Sequence, residues 1–474
     1  MNPVTRLATL LSRLGITACV FLVSSALGSQ SGAAVKTTKQ PFLVPVATGV
    51  AVDPILSVGD IVPNGQTPAY QMSGIPDGLG AYKTGQRTMT VLMNHELEPS
   101  VPPNVYSRIS KLRIDRKTRH VLAASYPFTG AEGYARFCSA TLEILNGIPT
   151  FFTGEEDIPS SGHDGSSIAM NAETGDWVDT KHFGHVLHEN VVPVKRLSQA
   201  FFLTTDDDFR EPTAAAPYIA AYLYAYIADT WEEAILGTGG SLYVWKATGE
   251  TDSVPSTNDI SKGETLQGEF VPITQAENAN GDTLERASDA KGGFKFVRLE
   301  DAAVARGQQP GRLYFADTGR LASESVKGRL YQIDVDHRDP TKASVTLLLD
   351  GDAGDDIVNP DNLDTSPQSV VLQEDRNSEH RGAEVAGGFG RVIVYDIKTG
   401  SLRHVAYANT PPSLRPGTWE SSGVINAQTL LGGDWWLVDV QAHSSPMRQP
   451  GPSLVPDSSE GEDGQLLAIK IPNS

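Results

Sequence analysis

Short runs of alternating apolar and polar residues dominate the chain, and many of them break at an acidic side chain. In the stretch 296–319, an apolar segment breaks at Glu300 and Asp301, a Gly/Pro-rich turn follows, and an alternating segment from Arg312 ends at Asp317. A period of two, interrupted by Gly and Pro, predicts antiparallel strands joined by hairpins. The module is therefore a strand with an acid near its start, a turn, and a strand that ends at a second acid.

This module recurs along the chain. The first acids of its copies are Glu189, Glu300, Asp361 and Glu420, and the second acids are Asp206, Asp317, Glu374 and Asp439. The last three first acids are about 60 residues apart, and each interval holds three or four candidate strands. This spacing predicts an all-β protein, a β-propeller with six blades at this chain length.

Equivalent loops of a propeller converge on one end of its central channel, so one carboxylate per blade becomes a ring of carboxylates. Such a ring would repel itself unless cations neutralised it, and Ca²⁺ accepts several oxygen ligands. Cys138 is a single soft ligand better suited to a transition metal such as iron, or it is a small buried apolar residue.

Two other segments add to this picture. Apolar spacing over 217–236 is typical of helices, and we therefore expect a partly helical insertion at 209–291 within the propeller. An apolar strand ends at His95 and Glu96. We interpret His95 as a structural histidine and Glu96 as a metal ligand, because Glu96 is placed like the other acids at strand ends.

The N-terminus has the pattern of an export signal. Basic residues precede an apolar run, and small residues allow cleavage near Gly28 or as late as Ala33, which predicts a signal peptide at 1–28 and a single propeller domain at 36–474. The run is too short for a membrane anchor. We therefore expect an exported protein, periplasmic or extracellular, in which Cys138 has no intrachain disulfide partner.

The overall charge restricts the partners. A formal net charge of −19 disfavours nucleic acid, whose phosphates the protein would repel. Part of this acidity serves solubility or is neutralised by bound cations. We expect a monomer that acts on a small molecule.

Six groups of short motifs occur in a fixed order between Asn94 and His443. They are Asn94-His95-Glu96; Cys138-Ser139-Ala140-Thr141 with Thr153-Gly154-Glu155-Glu156; His188-Glu189 with Thr204-Thr205-Asp206-Asp207; Arg298-Leu299-Glu300 with Leu313-Tyr314-Phe315; Pro360-Asp361-Asn362 with Glu374-Asp375; and Glu420 with Val440-Gln441-Ala442-His443. In this order the motifs resemble the PhoX family of exported alkaline phosphatases.

The resemblance implies a six-bladed propeller that hydrolyses phosphomonoesters with Ca²⁺ and Fe³⁺ ions in its channel. The positions that match metal-binding or neighbouring positions of the family are Glu96, Cys138, Glu189, Asp207, Glu300, Asp361, Asn362 and Glu374. Arg298 matches an arginine that contacts the substrate phosphate, with Arg448 as a second catalytic candidate. Arg298 could instead form a salt bridge to a neighbouring blade.

The chain also departs from the phosphatases of that family. A Trp-containing segment is replaced by 142–149, no lysine lies shortly before Cys138, where Arg136 could substitute, and Leu299 replaces an expected proline. The overall pattern is closest to an uncharacterised branch of the family. Two other functions could use the same ring: a non-catalytic, calcium-stabilised binding module, and a calcium-dependent esterase or lactonase.

Overall fold

The computed structural model describes nine stretches of the chain, nearly all of them β-structure. They are 34–64, 69–99, 106–156, 162–249, 259–273, 279–321, 323–376, 388–446 and 462–474. The helices among these residues are α1 (Trp231–Leu236), α2 (Gly281–Ala290), α3 (Gln428–Leu431) and a 3₁₀ turn at Lys181–Phe183. None of the helices in the described stretches is long and apolar enough to cross a membrane. The predicted signal peptide at 1–28 lies outside the described residues.

The strands are short, as the Gly- and Pro-interrupted alternation predicts. In chain order they are β1 (Leu43–Pro45), β2 (Ala51–Ser57), β3 (Ile61–Val62), β4 (Tyr70–Gln71), β5 (Pro76–Lys83), β6 (Thr88–His95), β7 (Arg108–Asp115), β8 (Val121–Phe128), β9 (Phe137–Leu145), β10 (Ile148–Glu155), β11 (Ser167–Asn171), β12 (Trp177–Asp179), β13 (His188–Pro193), β14 (Ala200–Asp206), β15 (Leu223–Ala228), β16 (Ser241–Ala247), β17 (Thr265–Pro272), β18 (Leu299–Val304), β19 (Arg312–Asp317), β20 (Arg329–Val335), β21 (Lys342–Asp350), β22 (Pro360–Thr365), β23 (Ser369–Glu374), β24 (Arg391–Asp396), β25 (Leu402–Ala408), β26 (Trp419–Asn426), β27 (Trp435–Pro446) and β28 (Glu462–Lys470).

Antiparallel pairing gathers these strands into sheets in which most sequence neighbours are also spatial neighbours. β5 to β8 form one sheet, and β9 to β12 form the next. A nine-stranded sheet contains two units of four strands, β13 to β16 and β18 to β21, which β17 joins through β16 and β21. The last two sheets, β22 to β25 and β26 to β28, are extended by the N-terminal strands β1 and β2. The N-terminal part of the domain is thus hydrogen-bonded to its C-terminal part.

The first strand of each four-strand unit contributes to a closed ring. These strands, called the inner strands below, are β5, β9, β13, β18, β22 and β26. Each packs against the next in this order, and β26 packs back against β5. Sheets arranged around a closed ring of inner strands form a β-propeller, which confirms the predicted fold class. The count of six blades stays a prediction, because two of the units share one continuous sheet.

Apolar side chains fill the spaces between neighbouring sheets. One cluster joins Leu79 and Val91 of the β5–β8 sheet to Leu437 and Leu466 of the β26–β28 sheet. Comparable clusters lie between the sheets that start with β18, β22 and β26. This face-to-face packing holds the inner strands, and therefore the polar residues at their ends, in fixed positions.

The predicted helices at 217–236 are largely wrong. β15, the third strand of its unit, occupies the middle of this segment, and only α1 follows it. Tyr224 and Tyr226 pack into one apolar cluster, whereas Leu223 and Ile227 pack into another on the opposite face. A strand that is buried on both faces has no polar residues to mark its period of two. Apolar residues in such a strand also recur every four positions, which is close to the spacing expected of a helix, so the segment was predicted to be helical.

Candidate functional site

The second residue of every inner strand points into one cavity at an end of the channel. These residues are Asp77, Cys138, Glu189, Glu300, Asp361 and Glu420. They come from six separate parts of the sequence and occupy equivalent positions in the fold. Five carboxyl groups and one thiol therefore form a ring around the cavity.

A shift in strand pairing accompanies each of these positions. In β18 the pairing with β19 is interrupted between Leu299 and Ala302, and the other inner strands have a similar irregularity near their starts. Such bulges redirect side chains that strict alternation would send to opposite faces. As a result, Glu300 lines this cavity and its neighbour Asp301 lines a second cavity nearer the other end of the channel.

The residue directly before four of the inner strands has a left-handed backbone. These residues are Ile75, Arg136, Arg298 and Asn359, with φ of 36°, 47°, 55° and 50°. Residues other than glycine seldom adopt this conformation, which costs on the order of 1 kcal/mol. Arg136 and Arg298 are thereby placed at equivalent positions of β9 and β18, and both line the cavity.

A second layer of acids follows the ends of the second strands. Glu96, Glu156, Asp207 and Asp375 come directly after β6, β10, β14 and β23. Glu96, Glu156 and Asp375 line the cavity, and Asp207 is fully buried beside Arg298. The cavity therefore has two layers of acids.

The cavity has a volume of about 870 Å³ and a large excess of acidic over basic side chains. Ten acidic side chains line it, against three arginines. Burial, followed by repulsion from Glu156 and Asp77, raises the pKa of Glu189 well above its usual value. Burial, then Glu189 and Glu420, likewise raises the pKa of Asp361. Bound cations would relieve both the desolvation and the repulsion of these groups.

Potential ligand atoms come close enough together for metal ions. Three groups have ligand atoms within 4.8 Å of one another: Asp77 with Glu96 and Cys138, Cys138 with Glu156 and Glu189, and Glu189 with Glu300 and Asp361. The groups share Cys138 and Glu189, so they form one continuous arc. Carboxylates suit Ca²⁺, and a thiolate among carboxylates suits a transition metal such as iron, so the donor set fits the expected ions.

Cys138 is a buried free thiol in these surroundings. Its Sγ donates a hydrogen bond to Oε2 of Glu156 at 3.0 Å. Burial, then Glu156 and Glu96, raises the pKa of the thiol well above its usual value. Without a bound cation the group is therefore a poor nucleophile, and a metal ion is what would favour its thiolate form.

Arg136 and Arg298, two of the three lining arginines, are paired with acids of the second layer. Arg298 forms two parallel bonds to Asp207 in the neighbouring unit, Nε to Oδ1 at 2.8 Å and Nη2 to Oδ2 at 2.5 Å. Arg136 donates from Nη2 to Glu156 at 2.6 Å, and the same atom lies 3.1 Å from Glu96. The salt bridge considered for Arg298 is therefore present, and the guanidinium group also lines the cavity.

The sixth ring position is linked to a histidine. Nε2 of His443 lies 3.7 Å from Glu420, and its Nδ1 lies 2.7 Å from Glu462. Burial lowers the pKa of His443, but the two acids outweigh burial and raise it well above the usual value. An imidazolium at this rim offsets part of the negative charge.

Two of the predicted metal-binding or neighbouring positions, Asn362 and Glu374, do not belong to the arc of ligand groups. Asn362 donates to Oγ of Ser139 at 2.6 Å and to Asp77 at 3.2 Å, so its amide group helps to hold the Asp77 carboxyl group in place. The Glu374 carboxylate instead pairs with Arg391 at 2.6 Å and Arg376 at 3.0 Å, and it does not line the cavity. We leave Glu374 out of the proposed ligand set. Arg448 lies outside the described residues.

Three of the four second acids of the repeat have a backbone role, whereas Asp439 lies in the interior of β27. Asp206, Asp317 and Glu374 end their strands and accept the backbone N–H of Leu187, Val297 and Val358, one or two residues before the paired inner strand. Glu155 does the same for Ala135 at 2.8 Å. His95 occupies the equivalent end of β6, where its Nδ1 lies 2.9 Å from the carbonyl of Gly74. Burial lowers the pKa of His95 to about 3, which fits the predicted structural role.

Sequence reasoning missed part of the site. Asp77 was not identified, although Pro76-Asp77 repeats the dipeptide Pro360-Asp361 and marks the same strand position. Glu156 belongs to a motif group and Glu420 to the first acids of the repeat, but neither was predicted as a ligand. Phe209, which also lines the cavity, had no signal in the sequence.

Neither a family model nor a curated protein sequence matches the chain. Among solved structures, Pseudomonas fluorescens PhoX in complex with vanadate, a transition state analogue, has a TM-score of 0.60 at 12% identity, covering 93% of this chain and 97% of that chain. The GH93 α-L-arabinofuranosidase of Fusarium graminearum has a TM-score of 0.41 at 9% identity, covering 88% and 97% of the two chains. At these identities the similarity concerns the fold alone, and the chain has a PhoX-like propeller fold.

Proposed function

We propose that this chain is an exported, metal-dependent phosphomonoesterase whose active site is the cavity at the starts of the inner strands. The observation that carries the proposal is the ring itself: five carboxyl groups and a thiol at equivalent strand positions, with Arg136 and Arg298 at equivalent positions beside them. A site built for cations and equipped with two guanidinium groups suits an anionic, oxygen-rich substrate.

The residues proposed to hold the metals are those of the arc: Asp77, Glu96, Cys138, Glu156, Glu189, Glu300 and Asp361. We assign Ca²⁺ to the part of the arc that has only carboxylates, and Fe³⁺ to the part that includes Cys138. When bound, these ions would supply Lewis-acid stabilisation of phosphoryl oxygens. The same charge would allow so acidic a cavity to accept a phosphate dianion.

The arginines are proposed to hold the phosphoryl group. Planar guanidinium groups bind phosphate oxygens in pairs and stabilise the charge that develops during transfer. Asp207 keeps Arg298 in one orientation through two hydrogen bonds, and Glu156 does the same for Arg136 through one. Substrate binding would therefore need little reorganisation of either side chain.

The similarity of fold to a solved structure is a further argument for this proposal. The similar Pseudomonas fluorescens PhoX structure contains vanadate, a transition state analogue. The resemblance of the six motif groups to the same family is an independent, sequence-based argument. Export rests on the predicted signal peptide, and the small phosphomonoester substrate and monomeric state are likewise expectations from the sequence.

The test is hydrolysis of 4-nitrophenyl phosphate at alkaline pH by the exported protein, with calcium present and after chelation. We expect turnover that calcium restores, and that Arg298→Ala lowers by about 10²-fold or more. Bis(4-nitrophenyl) phosphate and 4-nitrophenyl acetate serve as control substrates. Turnover of the acetate alone would support an esterase, and calcium binding without turnover of any ester would support a binding module; either result would overturn the proposal.

A further inference from the structure

Phe209 stands out among the residues that line the cavity. Its side chain is 40% exposed, whereas the two residues before it, Asp207 and Asp208, are fully buried. Among the described lining residues, only Ile75 and Phe209 have side chains made entirely of hydrocarbon. Removing apolar surface from water is favourable, so a ligand that covers this exposed aromatic ring would gain binding free energy.

The backbone on both sides of Phe209 is anchored. Asp207 pairs with Arg298, and its backbone N–H donates to the carbonyl of Leu187 at 2.9 Å. On the other side, Arg210 donates to Asp208 and also pairs with Asp282 of α2 at 2.7 Å. These contacts fix the position of the Phe209 ring at the cavity.

The ring lies close to both proposed phosphate-binding arginines. Its centroid is 5.7 Å from Cζ of Arg136 and 5.9 Å from Cζ of Arg298. A phosphoryl group held by the two guanidinium groups would place its ester oxygen, and the first atoms of the alcohol, within reach of the ring.

From this geometry we infer that Phe209 is a specificity-determining residue that packs against the alcohol part of the substrate. The preferred substrates are phosphomonoesters with an aromatic or other flat group next to the phosphate, since such groups stack on an aromatic side chain. This inference rests on the proposed phosphomonoesterase function. The ring also packs near the arginines in the free protein, so a test must separate substrate contact from support of the arginines.

The test compares binding of phenylphosphonate and methylphosphonate to the calcium-loaded protein by titration calorimetry. Phe209→Ala should raise the Kd of phenylphosphonate about tenfold and that of methylphosphonate less than twofold, because only the phenyl group loses its stacking partner. Phe209→Tyr, which keeps the ring, should stay within twofold of the wild type for both. The variant-to-wild-type ratio of kcat/KM for phenyl phosphate and glycerol 2-phosphate should show the same difference.

Two results would overturn the inference, and they are distinguishable. Equal weakening of both phosphonates by Phe209→Ala would show that the ring only supports the arginines, and would leave the proposed function intact. Failure of the calcium-loaded wild type to bind either phosphonate or inorganic phosphate would overturn the inference and the proposed function together.

Discussion

Replacing Glu300 by glutamine should change stability in opposite directions with and without metal. The ligand atoms of Glu189, Glu300 and Asp361 lie within 4.8 Å of one another. At an effective dielectric constant of about 20, each ionised pair at 4.8 Å repels by about 3.5 kcal/mol. Glu300 takes part in two of these pairs, which gives about 7 kcal/mol of repulsion.

One attraction opposes this repulsion. Nη2 of Arg298 lies 3.5 Å from Glu300, and the same arithmetic gives about 5 kcal/mol. The repulsion of Glu300 by Glu189 and Asp361 therefore exceeds its attraction to Arg298 by about 2 kcal/mol. Asp207, which also repels Glu300, would increase this difference. In the metal-free protein at pH 8, Glu300→Gln should raise the free energy of unfolding by about this amount.

The pH dependence follows from the direction of the pKa shift. Burial, then Asp207 and Asp361, raises the pKa of Glu300 well above its usual value, and Arg298 only partly opposes them. A carboxyl with a raised pKa in the folded state binds more protons there than in the unfolded chain. Its contribution to stability is fully present below the unfolded pKa of about 4 and is lost as the pH rises through the folded pKa. The advantage of Glu300→Gln should therefore vanish near pH 4.

The assay is urea unfolding of the wild type and Glu300→Gln at pH 8, in chelator and in calcium. Calcium should stabilise the wild type more than the variant, because the variant has lost a charged ligand, so the order of stability should reverse. A variant that is less stable than the wild type in chelator would show that the carboxylates around Glu300 do not repel it on balance, and equal stabilisation of both proteins by calcium would show that Glu300 is not a calcium ligand.

Three further predictions concern other residues. Glu374→Gln should lower the free energy of unfolding by about 2 kcal/mol, since it removes the buried carboxylate that pairs with Arg376 and Arg391, while bound calcium stays unchanged; loss of calcium in this variant would return Glu374 to the ligand set. Cys138→Ser should remove iron but not calcium in elemental analysis, and retention of the full iron content would exclude the thiolate as a ligand. Arg298→Lys should weaken inhibition by vanadate less than Arg298→Ala does, because lysine keeps the charge and loses the paired donors; equal weakening by both would indicate that the paired donors, rather than the charge, carry the binding.

The fold could be predicted from the sequence because two periods are visible in it. Alternation over a few residues predicts strands, and the recurrence of Glu300, Asp361 and Glu420 predicts blades. The prediction for the segment of β15 was wrong because a strand buried on both faces has no polar positions to mark its period of two.

The ring was predicted only in part, for a different reason. Glu300 and Asp317 belong to the same repeated module, yet one lines the cavity and the other accepts a backbone N–H. Composition and spacing do not distinguish these roles, because the bulge that turns Glu300 into the channel has no sequence signal of its own. Asp77 was missed because the acid at the end of its second strand is replaced by His95.

The assignment of this ring as a metal centre is tested by the metal content of the folded, exported protein after dialysis against calcium and iron. We expect bound calcium and iron in the wild type, loss of metal in Glu189→Gln, which removes one of the two residues shared between ligand groups, and unchanged content in Glu374→Gln. A folded wild type that binds neither metal, or a Glu189→Gln variant that binds as much as the wild type, would contradict the assignment of this ring as a metal centre.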